Sequence, residues 1–223
     1  PSVILRNTEF RTYLSLILIA MLLIALNLIT QMGWDSAAAA RAAVFQVTSL
    51  STTGFVSADF EVWPTFSKLL LLLLMTIGGC AGSTASGIKV ARIILLVRNA
   101  RAVILQKLNP NRVIDISLGG AHVDSAMLLR VGTFFFLYLT IIFVTAFLLT
   151  MDGLLPFDAI AVAVTTLGNI GPAFGIVSAT STYAPLSDFV KAVLCLSMLL
   201  GRLEIFTLLI LLRPSFWRKT KRW

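Results

Sequence analysis

Two short runs carry the residue types that can replace the water shell of an alkali cation. The first, VTSLSTTGF, sets Thr48, Ser49, Ser51, Thr52, Thr53 and Gly54 between Val47 and Phe55. The second, VTTLGNIGP from Val164 to Pro172, sets out Thr165, Thr166, Leu167, Gly168, Asn169, Ile170 and Gly171. A dehydrated cation needs several oxygens in succession, and backbone carbonyls supply them when they turn toward one axis. Such a turn often needs dihedrals open to glycine, and Gly54 and Gly171 fall at matching places in the two runs. The hydroxyls can hold the loop or add oxygens. Small polar turns also serve simply as packing joints between membrane helices. Repetition in matching surroundings favours the coordinating role.

Two further features invite chemistry. AGSTASG, from Ala81 to Gly87, interrupts an otherwise apolar stretch, placing Gly82, Ser83, Thr84, Ala85, Ser86 and Gly87 in irregular backbone. Irregular backbone at membrane depth is tolerated where it lines a cavity or is buried in protein, and broken helices mark transport sites. A glycine kink at a close helix crossing is the plainer alternative. GSTASGIK superficially resembles a phosphate loop. However, Lys89 does not directly follow Gly87, no Ser or Thr follows Lys89, and no strand precedes the run. A serine nucleophile at Ser83 or Ser86 lacks a base, because the single histidine, His122, belongs to a distant linker. Cys80 and Cys195 read as small buried hydrophobes. Arg202 lies within an apolar stretch, where an arginine costs at least ~2.5–3.5 kcal/mol on insertion scales, so it should face water or a partner. Glu204 is a poor partner because residues two apart do not share a helix face.

The elements that must position these residues follow from hydropathy. Mean hydropathy is +0.94, with 58% of the 223 residues hydrophobic and only 13% charged, which excludes an ordinary soluble domain. No ten-residue alternation suggests a barrel. Tyr13–Gln31, Phe66–Cys80 resuming at Ile88–Val97, Met127–Thr150 and Phe189–Leu212 read as four spans, the second broken by its glycine loop. Asp35–Leu50 and Phe157–Leu167 are too short or too polar to cross. They read as re-entrant half-helices ending at the two runs. The expected fold is an all-α integral membrane protein with two span–pore helix–span repeats, 1–98 and 126–213. A linker at 99–125 joins them and a basic tail at 214–223 follows. Most of the 18 Lys and Arg flank the spans on one face, which places the linker and both ends in the cytoplasm. The charge of +8 is thus a topology signal, not a nucleic-acid face, although the tail suits contact with anionic lipid. The chain begins at Pro1 without methionine, as a piece of something longer would.

SLSTTGF (Ser49–Phe55), IGGCAGSTASGIK (Ile77–Lys89), TLGNIGP (Thr166–Pro172) and GRLE (Gly201–Glu204) occur in this order between spans. With them the chain resembles the Trk/Ktr/HKT superfamily of potassium transporters, and most closely its TrkH-type membrane subunit. The resemblance implies four such units around one pore, of which these look like the third and fourth. The chain would therefore form half of a pseudo-fourfold ion pore and complete it with an N-terminal half. It also implies K+ as the transported ion at the filter residues, and a gate formed by residues 82–87 with Arg202. A homodimer, a cytosolic nucleotide-binding regulatory subunit and a bacterial inner-membrane location are further implications. No organic cofactor and no enzymatic reaction are expected. A secondary transporter for another cation or small solute, with the broken helix as its substrate site, is the alternative.

Overall fold

A computed structural model describes residues 7–83, 85–109, 115–119, 121–203, 205–211, 213 and 216. The predicted gate residue Thr84, the motif residue Glu204 and all of the tail except Phe216 lie outside the described residues.

Helix α1 (Thr8–Met32) starts where the Asn7 side chain accepts the Glu9 and Phe10 N–H groups, and it stops at Gly33 with φ 65°. Its 25 residues make about 37 Å of helix at 1.5 Å per residue, enough to cross a bilayer core. Helix α2 (Ser36–Leu50) is capped by Asp35, whose carboxylate accepts from Ala37 and Ala38 N–H. Its alanines explain its close packing. Ala39, Ala43, Val47 and Leu50 are fully buried and share one cluster with Ile17, Ala20, Ile24 and Leu28 of α1. Small side chains let the two helix backbones approach.

Helix α3 (Thr65–Thr76) is tied to α1 by a hydrogen bond from buried Ser67 Oγ to Asn27 Oδ1, at 2.8 Å. It ends four residues before the predicted Cys80. The cause lies in tertiary structure: Ile77 and Ile88 form a parallel bridge, with Gly78 N–H donating to Ile88 O (2.9 Å) and Ile88 N–H to Thr76 O (3.1 Å). Helix α4 (Val90–Leu108) then runs well past the predicted Val97, through Arg98, Arg101 and Lys107 into the segment expected as linker. Leu95 and Ala102 bury one stripe of it, which is enough to continue a helix that is basic elsewhere. The rest of that segment holds a two-residue hairpin, β1 (Ser117–Leu118) paired antiparallel with β2 (Ala121–His122).

Helix α5 (Ser125–Leu149) continues as a 3-10 turn to Asp152; α1 and this segment are the two described helices long and apolar enough to cross a membrane. Helix α6 (Pro156–Gly168) begins with proline, whose missing N–H costs nothing at a helix start. At 13 residues it spans about 20 Å, less than a bilayer core. Every residue from Ala161 to Gly168 is buried. Helix α7 (Asp188–Arg202) begins where Ser187 Oγ accepts the Val190 N–H. Within the fourth predicted span, α7 ends at Arg202 with Leu203 in a turn, and α8 covers Ile205–Leu211.

The two halves share a single core. Fully buried Phe60, before α3, meets fully buried Phe174, after α6, edge to face at 5.3 Å. Helix α6 packs between α5 and α7 and also lies against α3, so the second half's most buried helix touches the first half directly.

Candidate functional site

Each of the two runs folds back on the end of its own helix. After α2, the N–H groups of Thr52, Thr53 and Gly54 all donate to Ser49 O, at 3.2, 2.7 and 2.8 Å. In a trans peptide the carbonyl points opposite to the following N–H. The carbonyls of Ser51, Thr52 and Thr53 are therefore turned away from the helix end. After α6, Ile170 N–H donates to Thr165 O (2.9 Å) and Asn169 N–H to Thr166 O (3.1 Å). Asn169 takes φ 54°, the one positive value outside glycine among the described residues. Gly54 and Gly171 stand at φ 81° and 112°, conformations that an L side chain rarely adopts.

The hydroxyls are used to hold the loops. Ser49 Oγ donates to Phe55 O (2.6 Å), and Thr165 Oγ1 donates to Pro172 O (2.8 Å) while accepting Gly171 N–H (3.0 Å). Sequence register pairs Ser49 with Thr166, yet it is Thr165 that does the equivalent work. The neighbouring threonines, Thr48 and Thr166, bond back to their own helices at Val44 O and Val162 O. Ser51 Oγ donates to Thr48 O (2.8 Å). Gln46 Nε2 donates to Ala58 O (2.8 Å), and Tyr183 OH donates to Gly171 O (2.6 Å). Burial pushes the Tyr183 phenol up to about 12, so it keeps its proton and remains a donor at any physiological pH.

The loops meet. A Cβ built on Gly54 would lie 1.8 Å from Ile170 O and 3.0 Å from Pro172 Cδ, so glycine alone lets the first loop rest on the second. Gly201 plays the same part for α7, where a Cβ would lie 1.9 Å from Leu167 O. Gly78 does so for the 82–87 loop, where a Cβ would lie 2.5 Å from Ser86 O.

These approaches leave a cavity of about 310 Å³. Thr52 and Thr53 line it from the first run, and Gly168 and Asn169 from the second. Ser83, Ala85 and Ser86 of the broken segment complete the wall with Arg202. A second cavity of about 270 Å³ continues past Arg202 toward Lys89, Arg92 and Tyr138. Arg92 sits over the Phe134 ring at 3.9 Å, which joins α4 to α5. Of the predicted site residues, Thr48, Ser49, Ser51, Gly54, Thr165, Thr166, Leu167, Ile170 and Gly171 do not line the first cavity. Leu167 and Ile170 are buried as packing. Gly82 and Gly87, both at φ 94°, shape the ends of the broken segment.

Several supporting residues were invisible to pattern reading. Glu9, in the first turn of α1, accepts Ala81 N–H (2.6 Å) and Ala91 N–H (3.3 Å), so one carboxylate holds the base of the 82–87 loop and the start of α4. The only hint in sequence is an acidic residue set among Arg6 and Arg11. Lys68 pairs with Glu61 at 2.6 Å, and the other Glu61 oxygen accepts Gly175 N–H at 3.0 Å. Asp158 lies against Gly175 so closely that a Cβ there would be 2.1 Å from its Oδ2. Burial and the Glu61 charge raise the Asp158 carboxyl above the usual range, partly offset by Lys68.

Two described helices have the length and apolar character to cross a membrane, and irregular backbone from three segments walls a polar cavity, which fits a helical membrane protein of the transporter type. Comparison with known proteins makes this specific: the chain belongs to the TrkH family, described as cation transport proteins, which matches residues 8–219. It is 38% identical over 216 residues to the Trk system potassium uptake protein TrkH of Salmonella typhimurium, covering 96% of this chain and 44% of that protein. It is 37% identical to the Escherichia coli protein of the same name, with the same coverage. The crystal structure of the potassium transporter TrkH from Vibrio parahaemolyticus superposes with a TM-score of 0.89 at 37% identity, covering 98% of this chain and 47% of that one. The chain thus spans less than half the length of these relatives.

Proposed function

We propose that this chain forms one half of a K+ pore in a bacterial inner membrane, with both of its ends cytoplasmic. Its missing walls come from an N-terminal half of the same transporter. The observation that carries this reading is the convergence of both Thr–Gly runs, the 82–87 loop and Arg202 on one cavity. Helices α2 and α6 both end at the runs and, being too short to cross, serve as re-entrant pore helices. Their carboxyl ends bring the negative end of the helix dipole toward a cation at the pore axis. Carbonyls turned off the α2 end by the Ser49 O cluster supply oxygens in place of water. The coordinating carbonyls are drawn from within Thr48–Gly54 and Thr165–Gly171, while the Ser49, Thr165, Thr166 and Gly171 carbonyls accept internal hydrogen bonds and, with the Ser49 and Thr165 hydroxyls, hold that backbone in shape. The described residues of the 82–87 loop obstruct the path below, and Arg202 on the same cavity wall adds a like charge. Like charges repel, so a guanidinium on this wall raises the barrier to a passing cation.

Relatives named as parts of a Trk uptake system support a multi-component assembly. We assign to it a homodimer, surrounding lipid and a cytosolic nucleotide-binding regulatory subunit. K+ is cargo, and neither an organic cofactor nor a catalysed reaction is part of the proposal. The test is Gly54→Ala in the full-length protein reconstituted in liposomes. A Cβ at 1.8 Å from Ile170 O must displace the loop, so preference for K+ and Rb+ over Na+ and Li+ should collapse. A folded variant that keeps the wild-type preference would remove the filter assignment.

A further inference from the structure

We propose that the Asn169 side chain is a latch through which the second Thr–Gly loop senses the position of the 82–87 loop. This rests on the pore reading and assigns a positioning residue within it. The Asn169 Nδ2 group donates to Ser86 Oγ at 3.2 Å and to Met198 O at 3.1 Å. A carboxamide nitrogen carries two N–H donors; a third acceptor, Leu167 O of its own helix, lies farther off at 3.5 Å, and the two closer partners belong to different elements. Ser86 belongs to the broken segment, and Met198 lies one helical turn before Arg202. A single side chain thus joins the filter loop to the broken segment and to the helix that carries Arg202.

The surroundings are shaped for this contact. Asn169 ends α6 in the left-handed region, which Asn tolerates better than most side chains. Gly201 leaves room for the amide, since a Cβ there would lie 2.9 Å from Nδ2. Ser86 is fixed from its other side, its carbonyl seated over Gly78. Its hydroxyl therefore meets Asn169 only while the 82–87 loop occupies this position. The equivalent residue of the first run, Thr52, makes no side-chain hydrogen bond among the described residues, so the coupling belongs to the second half alone.

The expected effect follows from one hydrogen bond. Losing a net ~1 kcal/mol that favours the seated loop shifts its equilibrium by about fivefold. Asn169→Gly keeps the left-handed backbone while deleting the amide, and Ser86→Ala deletes the acceptor alone. In liposomes containing the full-length protein, each variant should raise basal Rb+ uptake about fivefold, and Ser86→Ala, which lies outside the filter, should also keep the K+/Na+ preference. The double variant should run no faster than Asn169→Gly. Selective wild-type flux with Asn169→Gly at the wild-type rate would overturn the latch and leave the pore standing, as would effects of the two substitutions that multiply. Should Asn169→Gly not fold, a wild-type rate for Ser86→Ala overturns the latch by itself. Wild-type protein without K+ flux removes the pore and the latch together.

Discussion

Gly201→Ala isolates steric fit from backbone strain. Gly201 lies inside α7 with ordinary helical dihedrals, so alanine should by propensity favour the fold by up to ~1 kcal/mol. The added Cβ, however, would sit 1.9 Å from Leu167 O and 2.9 Å from Asn169 Nδ2. A carbon and a carbonyl oxygen need more than 3 Å, so a fully buried backbone carbonyl must retreat by over 1 Å, or α7 must. Overpacking of this kind costs ~1–3 kcal/mol. The Asn169–Met198 hydrogen bond, at ~1 kcal/mol, is lost with it. The balance is a net destabilisation of ~1–3 kcal/mol, concentrated where α6 meets α7. Gly132→Ala is the control, because it also lies within a helix but has nothing within 4 Å of an added Cβ. Thermal unfolding of purified full-length protein should show Gly201→Ala several degrees below wild type and Gly132→Ala at or slightly above it. If the two variants melt alike, the close approach of α7 to the α6 end is not a structural constraint.

Other perturbations address different parts of the site. Glu9→Ala removes the acceptor for two backbone N–H groups, worth ~1.5–3 kcal/mol each when the acceptor is charged. Amide hydrogen exchange at Ala81 and Ala91 should accelerate at least tenfold, with Glu9→Gln in between; unchanged protection would refute the anchor. Arg202→Ala removes one like charge from the cavity wall and should raise K+ flux roughly tenfold or more in folded protein, since 1.4 kcal/mol is tenfold. Flux at the wild-type rate would mean that the side chain is no barrier. For Asp158 the folded carboxyl is raised, so the unfolded chain ionises first and folding stability falls as pH rises between the unfolded and folded values. A melting series upward from about pH 4 should show this slope in wild type, and Asp158→Asn should flatten it; parallel curves would count against the Glu61–Asp158 coupling.

Much of the helical order was legible because hydropathy is local. Helices α2 and α6 begin within one residue of the predicted Asp35 and Phe157, whereas α1 begins at Thr8, five residues before the predicted Tyr13, because the Asn7 cap lies outside the apolar run. The broken span was also legible in AGSTASG, but its edges were not. Helix α3 stops at Thr76 because Gly78 pairs with Ile88 across the loop, a contact that spacing does not encode. Helix α4 continues past Val97 because the Leu95 and Ala102 stripe finds cover, which the polar character of the segment concealed.

By itself the sequence determined the membrane class, the two Thr–Gly runs and the positive φ of Gly54 and Gly171. These depend on composition, repetition and the dihedral freedom of single residues. Tertiary structure alone decided which atoms meet. It chose Ser49 in one loop and Thr165 in the other as the hydroxyl that holds the backbone, one register step apart. It brought Glu9 to Ala81 across 72 residues and Glu61 to Gly175 across 114. It also set Gly54 on Ile170 and Gly201 on Leu167. Such partnerships arise when helices pack to within an atom's width, a distance fixed by neighbouring elements and not by the order of residues along the chain.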